Sequence, residues 1–292
     1  MEKVTKVTVG LCVKNAESII EEAVNSILHQ NYPYERMELI VVDGSSKDRT
    51  LEVLEKTMKR TDIKYEIFSE NEGLGVARQI VVDNAHGDYI VWVDADMLLS
   101  KDFINKQVQF MDLNQRVGIA KGKYGLLDGS TTVSVLENIG FVVDGLDDAD
   151  SLALGTYGCI YRTKAIRQVG GFDTTIKGVG EDQDAEFRVR SGGWTTLRSD
   201  AVFFEKRRDT LHDLWKEYFW HGYGGGYLFQ KNRKMIKLYK FLFPVAIFLE
   251  FLKSIKAYKL TGQKIMFLLP IEYIFKRTAW LLGFVKRRQE GF

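Results

Sequence analysis

Asp88-Tyr-Ile-Val-Trp-Val-Asp-Ala-Asp96 is the stretch that decides the fold. Tyr89 to Val93 read as a buried strand, and they run without a spacer into Asp94. Working back from it, strands and helices alternate. Val4–Val13 reads as a strand. Ala16–Gln30 carries Ile19, Ile20, Ala23, Val24, Ile27 and Leu28 at helical spacing. Met37–Gly44 is a second strand, Asp48–Lys59 a helix, Ile63–Phe68 a short strand and Gly75–Asn84 a helix. A beat of roughly 20–30 residues per strand and helix predicts βαβ units. The expected class is α/β, with a mostly parallel, Rossmann-like sheet flanked by helices.

In such sheets the ligand crevice lies beyond the carboxyl ends of the strands. Three polar clusters fall there: Asn15, Asp43–Asp48 and Asp94–Asp96. Within an extended segment Asp94 and Asp96 point to the same side. Two carboxylates so placed repel unless a cation lies between them. A divalent ion that also binds substrate phosphates answers that need, though solvated strand-end acids look the same in sequence. Asp43-Gly-Ser-Ser-Lys-Asp-Arg-Thr50 is a strand-to-helix turn in which Asp43 can accept from a base or ribose and Ser45 can cap the helix. Asn71-Glu-Gly-Leu-Gly-Val-Ala-Arg78 enters a helix and offers Arg78 to a phosphate. Its glycines lack the dinucleotide-binding spacing. Further on, Glu181 and Asp182 follow a glycine loop at a helix start. The dipole favours acids there in any case; the functional reading is a general base acting on an acceptor hydroxyl.

The 292 residues suit one large domain or two small ones. The formal charge of +2 hides a polarity. Residues 231–292 hold 14 Lys/Arg against Glu250, Glu272 and Glu290, a net of +11; residues 1–230 carry −9. The expected domains are therefore a catalytic body, 1–230, and a basic amphipathic helical tail, 231–292. In the tail, Phe241–Leu249, Met266–Phe275 and Thr278–Val285 are apolar but broken by charges. None reaches the ~18 residues of a clear spanning helix. Amphipathic helices lying in a bilayer interface fit better than soluble packed helices or a true span. Val4–Val13 is too short for a signal peptide. Cys12 and Cys159 form no disulfide framework, so a reducing compartment is expected.

The order of these motifs resembles a family 2 glycosyltransferase of the GT-A fold over about Val4 to Tyr227. The marks are Val13-Lys-Asn15, Val42-Asp-Gly-Ser45, Asn71-x-Gly73 with Ala77-Arg78, Asp94-Ala-Asp96, Val169-Gly-Gly-Phe-Asp173, and Glu181-Asp182 with Arg188. The resemblance implies an inverting enzyme that uses a UDP- or GDP-sugar and Mn²⁺ or Mg²⁺. It implies donor contacts from Val13, Asn15, Asp43, Ser45, Arg78 and Asp94. It implies metal ligands in Asp94 and Asp96, and a catalytic pair in Asp182, the base, and Glu181. Two departures stand out. Gly44 replaces a second acid that many relatives carry, and Phe203-Phe-Glu-Lys206 places Glu205, as a third hard-oxygen metal ligand, where many have a metal-binding His.

The basic tail is similar to that of enzymes acting on lipid-linked acceptors. Trp220-His-Gly-Tyr-Gly-Gly-Gly-Tyr227 reads as a mobile acceptor loop, with Trp220 and Tyr223 stacking on sugar, or as a helix cap and hinge. The partners expected are a nucleotide-sugar donor, a lipid-linked or glycan acceptor and an anionic membrane surface at its cytoplasmic face, not nucleic acid. The alternatives are transfer to a polyprenyl phosphate, which needs no base, nucleotidyl transfer, whose glycine/basic signature is missing, and a non-catalytic sugar-binding scaffold of the same fold.

Overall fold

The computed structural model describes residues 7–146, 155–176, 178–233 and 243–290. In chain order the elements are β1 (Val7–Val13), α1 (Ile20–Leu28), β2 (Met37–Asp43), α2 (Thr50–Met58), β3 (Lys64–Ser69), α3 (Leu74–Asn84), β4 (Tyr89–Asp94), β5 (Met97–Leu99) and α4 (Phe103–Leu113). They continue with β6 (Val117–Tyr124), α5 (Thr132–Leu146), β7 (Cys159–Arg162), α6 (Thr163–Gln168), α7 (Glu181–Ser191) and β8 (Thr195–Glu205). The chain ends in α8 (Leu211–Lys231), α9 (Phe243–Thr261), a 3₁₀ turn (Lys264–Leu268) and α10 (Leu269–Glu290).

Contacts divide the chain into two compact units. The first comprises Met1–Lys123, Asp150–Lys177 and Glu181–Glu205, and holds the sheet. Its strand order is β3-β2-β1-β4-β7-β6-β8-β5. The βαβ beat accounts for one half: β1 pairs in parallel with both β2 and β4, and β2 with β3. The other half departs from it, because β7 runs antiparallel to β4 and β6, and β5 antiparallel to β8. β1 and β4 are buried almost throughout, as strands covered on both faces must be. Trp92 stands edge-on to Phe172 and Tyr161, with centroids 5.4 and 6.0 Å away. Gly10 admits this ring: a Cβ there would lie 2.9 Å from Trp92 and 2.7 Å from Val81 of α3.

The second unit comprises Tyr124–Ala149, Gly178–Gly180 and Lys206–Phe292. By contacts the division falls near Glu205, and α5 and α8 group with the tail helices. Leu136, Ile139 and Val143 of α5 form a core with Ala257, Met266 and Leu269. Trp220–Tyr227 is neither a loop nor a hinge but the interior of α8. Gly222, Gly225 and Gly226 are buried against α10: a Cβ on Gly222 would lie 1.9 Å from the Trp280 carbonyl oxygen, and one on Gly225 2.5 Å from the Trp280 ring. Among the described residues no helix is long and apolar enough to cross a membrane.

Candidate active site

The strand order 3-2-1-4 puts a switch point between β1 and β4. From β1 the chain steps outward to β2 and β3, then returns to the other side. Adjacent connections leave in opposite directions there and open a crevice beyond the carboxyl ends. The register brings the expected residues to that edge: Val13 lies beside Asp43, and Cys12 beside Asp94.

Three loops are tied together above it. Asn15, in left-handed backbone with φ 48°, donates its N–H to Ser46 Oγ at 2.9 Å and accepts from the Lys47 N–H at 2.8 Å. Ser45, with φ 57°, donates to the Glu70 carbonyl at 2.7 Å. It therefore joins β2's loop to β3's and is not the expected cap of α2. Asp48, just before the helix, accepts from the Thr50 N–H at 3.0 Å. Asp43 is 1 % exposed. Its Oδ2 accepts from the Ser46 N–H at 3.0 Å, while its Oδ1 is buried with no hydrogen-bond partner among the described residues. A buried acceptor so placed asks for a donor.

Asp94 ends β4, and Asp96 lies in the turn before β5. The same-side rule for extended residues thus does not cover Asp96; the turn places it. Glu205 sits opposite Met97 in the antiparallel β5–β8 pair, one residue beyond that turn. Arg78 is buried and ion-paired to Glu181 Oε1, with Asp94 Oδ1 3.7 Å away. A buried guanidinium requires counter-charge, and the chain itself provides it. Burial pushes Glu181 up to about 7 against the pull of Arg78. Burial also raises Asp94, against Arg78, and the Asp182 carboxylate adds to the rise. Asp94 and Asp182 are thus near enough to interact.

Gly155 packs on Asp182: a Cβ there would lie 3.0 Å from Asp182 Oδ2 and 3.0 Å from the Tyr157 ring. Over that ring, 3.4 Å from its centroid, sits the ammonium of buried Lys121, whose charge counters the rise at Asp94. Lys121 and Tyr157 had no place in the sequence motifs. The one signal was a lysine inside the apolar run Val117-Gly-Ile-Ala-Lys121. Trp220 and Tyr223 belong to the second unit, on α8. Their rings meet edge-on at 5.3 Å, and the Tyr223 hydroxyl donates to Glu290.

A separate cleft of about 670 Å³ is lined by His86, Tyr89, Arg162 and Arg167. Its arginines brace the fold: Arg162 donates to the carbonyls of Val117, Met111 and Asn114, and Arg167 to those of Val82 and Ala85. It holds none of the expected acids.

The family model "Glycosyl transferase family 2" matches residues 8–166, more than half of the chain. The chain is a family 2 glycosyltransferase. A second model, "Glycosyl transferase family group 2", matches residues 89–283. Among curated relatives, an uncharacterized glycosyltransferase of Haemophilus influenzae is 32% identical over 123 residues, 42% of this chain and 48% of that one. The poly(ribitol-phosphate) beta-N-acetylglucosaminyltransferase TarS of Staphylococcus aureus is 31% identical over 99 residues, 34% of this chain and 17% of that one. This glycosyltransferase therefore spans less than half the length of these two relatives. Among solved structures, the mannosyltransferase PcManGT of Pyrobaculum calidifontis, in complex with GDP-Man and Mn²⁺, superposes with TM-score 0.66 at 16% identity, covering 99% of this chain and 88% of that one. TarS 1–349 with UDP-GlcNAc gives TM-score 0.52 at 18% identity, covering 98% and 93%. At such identities the likeness establishes the GT-A fold.

The acids of this glycosyltransferase fit a divalent cation in one particular way. Among the described residues no three His, Cys, Asp or Glu side chains converge into an all-protein cage. Asp94 and Asp96 instead are two hard-oxygen donors, at the end of β4 and in the turn after it. That donor set suits Mg²⁺ or Mn²⁺ completing its shell with diphosphate oxygens and water.

Proposed function

We propose that the enzyme moves a sugar from a UDP- or GDP-sugar to a hydroxyl of a glycan or lipid-linked acceptor, with inversion at the anomeric carbon. One observation carries the reading. The unpartnered buried oxygen of Asp43 and the acids Asp94 and Asp182 share the carboxyl edge at the β1–β4 switch point. The relatives solved with GDP-Man and with UDP-GlcNAc support the donor class.

Asp43 takes a hydrogen bond from the nucleoside, and Val13 and Asn15 wall its base. Asp94 and Asp96 would hold the cation. Once bound, a divalent ion supplies positive charge to the departing diphosphate. Arg78 acts behind them by fixing Glu181 and Asp94, and Lys121 adds positive charge on the same side. Asp182, in the first turn of α7, accepts the proton of the acceptor hydroxyl. As it does so, the acceptor oxygen bonds to the anomeric carbon from the face opposite the diphosphate. The bond from that carbon to the diphosphate oxygen breaks, and its electron pair leaves with the nucleotide.

Thermal shift with UDP- and GDP-sugars, with and without Mn²⁺, combined with transfer and slow donor hydrolysis, tests this. Stabilisation should require both donor and metal. Asp96→Ala should lose metal-dependent hydrolysis. Asp182→Asn should keep donor binding while transfer falls by about 10²–10⁴-fold. Stabilisation indifferent to donor and metal sinks the reading. Unchanged transfer in Asp182→Asn points to an acceptor that is already ionised, such as a polyprenyl phosphate.

A further inference from the structure

α10 has its polarity inside out. Its inward stripe is Leu269, Glu272, Lys276, Ala279 and Gly283, which includes two charged side chains. The Lys276 ammonium lies 2.5 Å from Glu137 Oε1 and 3.6 Å from Glu272 Oε1. Its outward stripe, at the same three-and-four spacing, is Ile271, Ile274, Thr278, Leu282 and Val285. The four apolar members are 64, 40, 50 and 47 % exposed. A helix facing water does the opposite, with charges outside and aliphatic residues within. α9 repeats the pattern. Lys253 and Ser254 face in, while Phe248, Leu249, Phe251 and Leu252 are exposed. The Lys264–Leu268 turn continues this surface: Phe267, itself exposed, packs against the rings of Phe251 and Tyr258 at 6.4 and 5.6 Å. Apolar area of this extent on one unit marks an interaction surface.

Charge identifies the occupant. Lys256, Lys259, Lys264, Lys286 and Arg288 are exposed around these side chains. Residues 231–292 carry +11, so a second copy of the chain would set like charge against like. A membrane of anionic lipid answers both features, acyl chains for the aliphatic stripe and headgroups for the lysines. No described helix is long and apolar enough to span, which leaves the plane of the interface.

We propose that the outward face of α9, the Lys264–Leu268 turn and α10 is a membrane-docking surface, lying in the interface of an anionic bilayer. The proposal rests on these helix faces and not on the assigned reaction, so either can fail alone. If both hold, the enzyme works where lipid-linked acceptors reside.

Flotation of the full chain with phosphatidylcholine vesicles, with and without phosphatidylglycerol, tests it. The protein should float with the anionic vesicles and bind neutral ones at least about tenfold more weakly. Ile274→Glu with Leu282→Glu should lose about tenfold or more of the anionic binding. Both residues face outward, so the thermal midpoint should hold. Leu113→Glu, on the 84 % exposed leucine of α4, should change nothing. Leu282→Trp, which keeps the surface apolar, should be quenched by brominated lipid. The proposal is overturned if the wild type stays unbound, or if neutral vesicles bind as well. Full binding by the double variant, or an unquenched Leu282→Trp, overturns it too. So does a solution dimer that the double variant dissociates while the wild type ignores vesicles.

Discussion

Lys276 faces two buried carboxylates with a single charge. Glu137 is 1 % exposed and Glu272 8 %. The Lys276 ammonium beside Glu137 holds its carboxyl below the usual range despite burial, whereas burial pushes Glu272 up to about 8. One acid is therefore ionised and its neighbour keeps its proton. The consequence for stability has a definite sign. Unfolded Glu272 releases its proton near the ordinary 4.5, but the folded chain retains it to about 8. Its contribution is complete below about pH 4.5 and is lost as pH rises through 8. Glu272→Gln, which cannot ionise, should flatten the fall in urea-unfolding stability between about pH 5 and 8, and gain on the order of 1–2 kcal/mol at the alkaline end. An unchanged slope would place the proton elsewhere. Arg78 repeats the arrangement in the other unit, one cation between Glu181 and Asp94. Such triads explain what the sequence could show of the site. Asp43, Asp94 and Asp182 were legible because an acid after a strand or at a helix start is a local pattern. The pairing of Arg78 with Glu181 was not legible, because the two are 103 residues apart. Lys121 and Tyr157 meet only through the fold.

The α8–α10 packing carries the clearest element-scale lesson. Gly222, Gly224, Gly225 and Gly226 are poor helix formers, so Trp220–Tyr227 reads as a loop by propensity. The stretch is helical all the same, and Gly222 and Gly226 stand where α10's backbone comes too close for a side chain. A Cβ on Gly283 of α10 would lie 1.9 Å from the Phe219 carbonyl oxygen of α8. Alanine gains about 1 kcal/mol of helix propensity over glycine, but overpacking costs typically 1–3 kcal/mol. With backbone as the obstacle, overpacking wins: Gly283→Ala should destabilise by about 1–2 kcal/mol. Gly140 of α5 offers the opposite case. Its added Cβ would find nothing nearer than Lys253 Nζ at 3.5 Å. Gly140→Ala should therefore stabilise by about 0.5–1 kcal/mol. Urea midpoints of the two variants decide it; shifts of the same sign would mean that the close approach is not what sets the choice of glycine. The first four strands and their helices were legible for the converse reason, since their apolar periodicity is local. The antiparallel half was not, because β7's partners, β4 and β6, are fixed by tertiary packing.

At the scale of the whole molecule, charge and packing divide the chain at different places. Charge places the break at 230/231, where −9 gives way to +11. Contacts place it near Glu205 and return to collect Tyr124–Ala149. The two disagree because the inner faces of the basic helices complete a core begun elsewhere in sequence. Leu136, Ile139 and Val143 of α5 lie against Ala257, Met266 and Leu269, and the glycines of α8 against Trp280 and Phe284. Cutting after residue 230 would thus remove no simple appendage. It would uncover α5's aliphatic face and α8's glycine face together, and take Lys276 away from Glu137. Any one of these costs about 3 kcal/mol or more. At roughly 2–4 °C per kcal/mol for a chain of this size, the 1–230 fragment should melt at least about 10 °C below the full protein, or aggregate. Scanning calorimetry and light scattering of the two proteins measure this. A fragment that is monomeric and melts with the full chain would restore 230/231 as the true boundary. The tail would then be a basic attachment.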